Sequence, residues 1–315
     1  MAKATRAAFG EALARIGETH PKVVVVDADL SCSTNTRKFA EAFPDRFIQI
    51  GIAEGNMVSV SAGLALGGMV PFAASFACFI TGRFEQIRVS VGYNNANVTV
   101  VGTHAGCGIG EDGYTQMGLE DLAVMRALPN MVVVQPGDAL EAEKATEFLA
   151  DYVGPAYLRL TRQALADVND AAEYSFDFGK GVELRQGKDV AIVASGGVVG
   201  YALEAAEDLA KEGIDAAVVN IHTIKPIDVA LLEKLAASTG RILTVEDHGV
   251  VGGLGSAVIE ALAETPDVVV RTHGVRGYGQ SGTHAQLYER YRLDAAGIAL
   301  TTKEFVLPER AEATG

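Results

Sequence analysis

VVVVDA at residues 23–28 decides the fold: four β-branched residues run without the polar alternation of a half-solvated strand, and an acidic residue closes the run. Such a run reads as a strand buried on both faces, the kind found in parallel sheets covered by helices. The same type of run recurs at RFIQI (46–50), MVPFAAS (69–75), NVTVVG (97–102), MVVVQP (131–136) and AYLRL (156–160). Helix-length stretches separate them, among them GNMVSVSAGLALGG (55–68) and DALEAEKATEFLADY (138–152). Buried strands alternating with helices predict an α/β architecture with a mostly parallel sheet flanked by helices.

After Arg162 the periodicity lapses in QALADVNDAAEYSFDFGKG (163–181), a polar stretch that carries four acidic residues. A second βα series follows: DVAIVASG (189–196), a helix over 198–212, DAAVVNIH (215–222), a helix over 228–237 capped by Asp228, RILTVEDH (241–248), a helix over 253–263, DVVVRTHG (267–274) and a helical tail. The expectation is two domains, over residues 1–165 and 187–315, joined by a linker over 166–186. A chain of 315 residues suits that division.

The chain is 49% hydrophobic and carries a net charge of −14, with no Lys/Arg cluster. Nucleic acid and anionic membrane are therefore not expected as partners. Cys32, Cys78 and Cys107 form neither a CxxC pair nor a zinc-type spacing, so no metal site on this chain and a reducing, cytoplasmic location are expected. The amino-terminal segment reads as an amphipathic helix without a secretory apolar stretch, and no run of membrane-spanning length occurs.

Five motifs carry polar residues out of this framework. In IGIAEGNM (50–57), Glu54 stands at the start of a small-residue helix, where a carboxylate suits the positive end of the dipole. In SFACFITGRFEQIR (75–88), Phe76 and Phe79 are three apart, a spacing for one helix face able to hold a flat ring or to pack a core. VGTHAGCGIGEDGYTQMGLED (101–121) brings His104, Glu111, Asp112 and Gln116 onto a Gly-rich loop after a strand, a polar substrate wall. Its literal GxGxxG is rejected as a dinucleotide fingerprint, because two acidic residues would face the pyrophosphate and helix signals begin only near Leu119. A thiol nucleophile built from His104 and Cys107 lacks an oriented third partner. Arg162 in AYLRLTRQ, with Arg6 and Ser33, suits a bidentate anion. The glycines of VEDHGVVGGLGSAVIEAL (245–262) are read as a structural turn.

Taken together, DADLS, IGIAEGNM, SFACF, GTHAGCGIGEDGYTQ and LTRQ resemble, in order and separation, the pyrimidine-binding domain of transketolases. HTIKPID and the 245–262 segment are similar to the carboxy-terminal domain that follows it in that family. The resemblance implies a thiamine-diphosphate enzyme that transfers a two-carbon ketol unit between sugar phosphates. It implies that Glu54 matches the glutamate bound to the aminopyrimidine ring, and that Phe76 and Phe79 line that ring, with Asp29 near the cofactor. By the same comparison Asp112 would contact donor hydroxyls, while Arg6, Ser33, His104 and Arg162 would grip the sugar phosphate. Gln116 stands where many transketolases carry a histidine that contacts the donor, and where animal-type members carry glutamine. Glu54, His104 and Asp112 form the implied catalytic set.

No GDG occurs in the sequence, whereas complete transketolases carry a GDG-to-Asn motif for diphosphate and magnesium. The expectation is therefore an amino-terminal partner subunit holding the diphosphate and Mg, in a heterotetramer of two copies of each half. The alternatives are another thiamine enzyme, of the deoxyxylulose-phosphate synthase or 2-oxo-acid dehydrogenase β type, and a non-catalytic module of the same fold.

Overall fold

The computed structural model describes residues 2–307. In chain order the strands are β1 (Lys3–Ala4), β2 (Val23–Asp27), β3 (Phe47–Gln49), β4 (Val70–Phe76), β5 (Thr99–Thr103), β6 (Val132–Val134), β7 (Ala156–Arg159), β8 (Ala164–Leu165), β9 (Val182–Arg185), β10 (Val190–Ser195), β11 (Ala216–Asn220), β12 (Thr223–Lys225), β13 (Arg241–Gly249) and β14 (Val269–Val275). They form a seven-stranded sheet in the order β12-β6-β7-β5-β4-β2-β3 and a five-stranded sheet in the order β14-β13-β10-β11-β9; β1 and β8 pair as a short ribbon. Both large sheets are parallel except at one edge each, where β12 runs against β6 and β9 against β11.

The valines of β2 show why this is a covered parallel sheet. Val23 and Val25 pack under helices Thr5–Thr19 and Ala139–Asp151, while Val26 points into the opposite core. That second core is continuous from Ala73 and Val100 through Met57, Leu122 and Met125 to Leu232, Val258 and Val193 of the second sheet. Each such side chain contributes about 1.5–3 kcal/mol when fully buried, so the two sheets share a large common stabilisation. The far face of the second sheet packs on helices Val199–Lys211 and Ala295–Val306.

Aspartates cap two helix starts, at the expected Asp228 and also at Asp138. Asp138 accepts the Glu141 N–H at 2.8 Å, and Asp228 accepts the Leu231 N–H at 3.2 Å. The strand read over DAAVVNIH is Ala216–Asn220 of the second sheet, and the chain then crosses so that a further strand, Thr223–Lys225, completes the edge of the first. Lys225 Nζ donates to the carbonyls of Arg126, at 3.0 Å, and of Leu128.

Within 166–186, residues Val182–Arg185 form β9, and the polar residues before it are tied down by side chains. Asp138 accepts the Val168 and Asn169 N–H groups at 3.0 and 2.9 Å. Tyr174 donates to the fully buried Glu141 at 2.7 Å.

Candidate active site

The site residues sit where strands of the first sheet release the chain at their carboxyl ends, the edge at which open α/β sheets receive ligands. β2 leads from one side of the strand-order reversal to Asp29 and Ser33; β4 and β5 lead from the other side to Phe76 and His104.

Glu54 is the first residue of helix Glu54–Leu66 and is only 6% exposed. No side-chain hydrogen bond reaches its carboxylate among the described residues. Phe76 is the last residue of β4 and not a helical position, because the strand runs one residue past the expected end; Phe79 follows in helix Ala77–Thr81. The two rings nonetheless stack across this junction, 5.4 Å apart and 6° from parallel. His104 continues the stack on Phe76 at 3.7 Å and 23°.

His104 is buried and has φ of 57°, a left-handed conformation that costs a non-glycine residue and marks a shape imposed by its surroundings. Thr103 Oγ1 donates to the Ser75 carbonyl at 3.3 Å, which leaves it to accept from His104 Nδ1 at 2.9 Å and makes Nε2 an acceptor. Burial, reinforced by the positive charges of Arg6 and Arg162, pushes the imidazole down to about 3. The ring is therefore neutral at physiological pH.

Arg6, Ser33, His104 and Arg162 are brought together. Arg6 Nη1 donates to the Ser33 carbonyl, and Arg6 is held below its ordinary value by burial and then by Arg162. Arg6 Nε is buried without a partner among the described residues. Arg162 donates to the Ile109 carbonyl at 2.7 Å and lies 3.6 Å from the exposed Glu111. Two guanidinium groups that repel each other beside a neutral imidazole form a site that an anion would relieve.

Asp29, Asp112 and Gln116 are not drawn into this cluster by any side-chain hydrogen bond or ion pair among the described residues. Asp29 and Asp112 are exposed, and Gln116 is partly so. Asp29, with φ of 65°, is fixed through its own N–H, which donates to Gln49 Oε1 at 2.7 Å.

Three supporting residues escaped the sequence reading. Asp27, buried at the end of β2, accepts Leu30 N–H at 2.7 Å and the Thr34 and Thr36 hydroxyls at 2.8 Å each, shaping the turn that carries Asp29 and Ser33. Gln49 braces the same turn. Asp247, on β13, grips the 104–118 loop. An acidic residue closing an all-valine strand was the available signal for Asp27; Asp247 is separated from the loop by 139 residues and had none.

Two sequence questions are resolved. Cys107 is buried, and burial followed by nearby Asp247 holds its thiol well above the ordinary range, so it is no nucleophile. The turn before helix Leu254–Ala261 has its amides occupied: Glu246 accepts Leu254 and Gly255 N–H at 2.6 and 2.9 Å, which makes it structural.

The family model for the transketolase pyrimidine binding domain matches residues 1–167, and that for the transketolase C-terminal domain matches residues 179–298. The chain is 42% identical over 301 residues to a putative transketolase C-terminal section of Methanocaldococcus jannaschii, covering 94% of both. It is 38% identical to an apulose-4-phosphate transketolase subunit of Phocaeicola vulgatus, covering 96% of this chain and 97% of that one. A solved split-gene transketolase, described as an inactive β4 tetramer, superposes with a TM-score of 0.90 at 44% identity, over 96% of this chain and 98% of that one. Against human transketolase, the chain spans about half the relative's length, 49%, at 39% identity.

Proposed function

The chain belongs to the transketolase family, and we propose that it is the pyrimidine-binding half of a split transketolase, moving a two-carbon ketol unit from a ketose phosphate to an aldose phosphate. The observation that carries this reading is the meeting of Arg6, Arg162 and neutral His104 beside the Phe76–Phe79 stack, with the buried Glu54 on a neighbouring helix. Relatives of matching length that are named as parts of split enzymes support a separate partner chain.

The residues fit a pyrimidine. Glu54 is buried, with no side-chain hydrogen bond to its carboxylate among the described residues, and Phe76 and Phe79 offer parallel aromatic planes. Thiamine diphosphate, when bound, supplies the carbon nucleophile and the electron sink for breaking the donor's carbon–carbon bond. Glu54 would share a proton with a nitrogen of the pyrimidine ring. The phenylalanines fix the ring plane. His104 Nε2 accepts a hydrogen bond from a sugar hydroxyl; Arg6, Ser33 and Arg162 anchor the phosphate end, and Asp112 and Gln116 read hydroxyls on the donor. Asp29 borders the cofactor.

Magnesium and the diphosphate belong to the partner in this reading, in a cytoplasmic heterotetramer serving pentose phosphate or related sugar metabolism. Among the described residues no group of His, Cys, Asp and Glu could hold a metal ion, and no helix is long and apolar enough to cross a membrane. Val89 and Tyr93, exposed beside Phe84, Leu128 and Pro129, offer a partner apolar surface.

Mixing the chain with its diphosphate-binding partner, thiamine diphosphate and Mg should produce ketol transfer from xylulose 5-phosphate to ribose 5-phosphate. Neither chain alone should do so. A complex that forms without transfer to any aldose overturns the proposal in favour of a non-catalytic module.

A further inference from the structure

The loop from His104 to Gly118 carries His104, Asp112 and Gln116 of the site, yet it has little regular structure of its own. Gly106, Gly110 and Gly113 all have positive φ, at 84°, 91° and 78°, and the loop's regular structure is limited to two single 3-10 turns. Arg159 and Arg162 hold its Gly118 and Ile109 carbonyls at 2.8 and 2.7 Å, and further support comes from the second sheet. Cys107, Ile109, Met117 and Leu119 bury their side chains in the core beneath β10 and β13. At the centre, Asp247 of β13, itself 2% exposed, accepts Cys107 N–H at 2.7 Å, Gly108 N–H at 3.1 Å and the Tyr288 hydroxyl at 2.9 Å. The loop closes so tightly on this carboxylate that a Cβ at Gly106 would stand 2.2 Å from Oδ2. Gln163, next to Arg162, donates to the same Tyr288 oxygen at 3.1 Å.

Resting on the function proposed above, we propose that Asp247 is a positioning residue for ketol transfer: through the Cys107 and Gly108 amides it holds the loop that presents His104 and Asp112 to the sugar. The second sheet thus takes part in substrate recognition without touching substrate. Asn at 247 is the discriminating change, because its side chain has almost the same shape but sets an NH2 against one of the two loop N–H groups and leaves that donor buried and unpaired.

The test measures Asp247→Asn in two ways. In the full chain alone, hydrogen exchange at residues 105–113 should quicken about tenfold or more, with β5 and β13 unchanged. In the assembled enzyme, kcat/KM for xylulose 5-phosphate should fall about 10- to 100-fold, with KM raised and kcat lowered, while the Kd for thiamine diphosphate stays within about twofold. Unchanged exchange, or exchange that quickens across both sheets alike, overturns the inference, as does a loss of thiamine diphosphate affinity matching the loss of activity. If the variant does not fold, Tyr288→Phe decides: at least about twofold faster exchange at 105–113 with raised KM supports the role, and wild-type behaviour overturns it. Absence of ketol transfer by the wild-type assembly would count against the proposed function alone, since the exchange measurement needs neither partner nor substrate.

Discussion

Replacing Asp121 by Asn should be among the most damaging isosteric changes available to this protein. Asp121 is fully buried and accepts Arg159 Nε at 2.7 Å, Arg159 Nη2 at 3.0 Å and the Tyr157 hydroxyl at 2.7 Å. Burial pushes its carboxyl up, but Arg159, with His248 and the Tyr157 hydroxyl, holds it below the ordinary carboxylate value. Arg159 is 1% exposed, and its remaining hydrogen bonds, to the Gly118 and Asp247 carbonyls, are to neutral groups. Asn therefore removes the carboxylate hydrogen-bonded to this buried cation and leaves only more distant counter-charge from Asp247, at a cost of about 3–5 kcal/mol. With about 2–4 °C lost per kcal/mol for a domain of this size, the melting temperature should drop by about 6–20 °C. Differential scanning calorimetry of the full chain measures it. The double variant Asp121→Leu with Arg159→Met removes both charges and should recover at least about half of the loss, because a buried pair as a unit is often close to neutral. A drop below about 2 °C in the single variant, or a double variant no better than the single one, would refute the claim that the stranded charge dominates.

Glu54→Gln should lower kcat by about 10²–10⁴-fold while the two-chain assembly forms normally, as read by steady-state kinetics and size-exclusion chromatography. Arg162→Ala should raise KM for a phosphorylated donor by about 10- to 150-fold and leave KM for an unphosphorylated ketose unchanged; equal effects on both would remove the phosphate from its role. Burial, opposed by hydrogen bonds from Gly137, Tyr174 and Asn220, raises Glu141 to about 7 from an ordinary 4.5. The folded state therefore keeps a proton that the unfolded state sheds, and this contribution, complete below about 4.5, is lost as pH rises through about 7. In urea titrations from about pH 5 to 7, wild type should lose about 2 kcal/mol relative to Glu141→Gln, and parallel profiles would exclude Glu141 as the source.

The parallel sheets and most helices were legible because burial on both faces writes itself as unbroken apolar runs, as in residues 23–26 and 132–134, and because Asp228 caps its helix in place. Among the candidate site residues, Phe76 and His104 stand where the chain changes texture at a strand end, and Glu54 stands at a helix start. What stayed hidden depends on partners distant in sequence. β9 and β12 are short edge strands of four and three residues, too brief for a period to declare itself. The order within 163–181 comes from Asp138 and Glu141 binding its amides and Tyr174, which no local pattern encodes. Asp247 reads on its own as one acidic residue in a strand, and its role exists only because the 104–118 loop folds over it.

The crossing of Thr223–Lys225 to the edge of β6 ties the first sheet to the timetable of translation. Between the synthesis of Arg159 and that of Lys225 the ribosome adds 66 residues, about 3–13 s at ordinary elongation rates. For that interval β6 offers a bare strand edge to whatever is nearby, the condition under which nascent sheets recruit neighbours or chaperones. Limited proteolysis of stalled nascent chains should find residues 132–134 protected only once Lys225 has cleared the exit tunnel; earlier protection would mean that another segment guards the edge first.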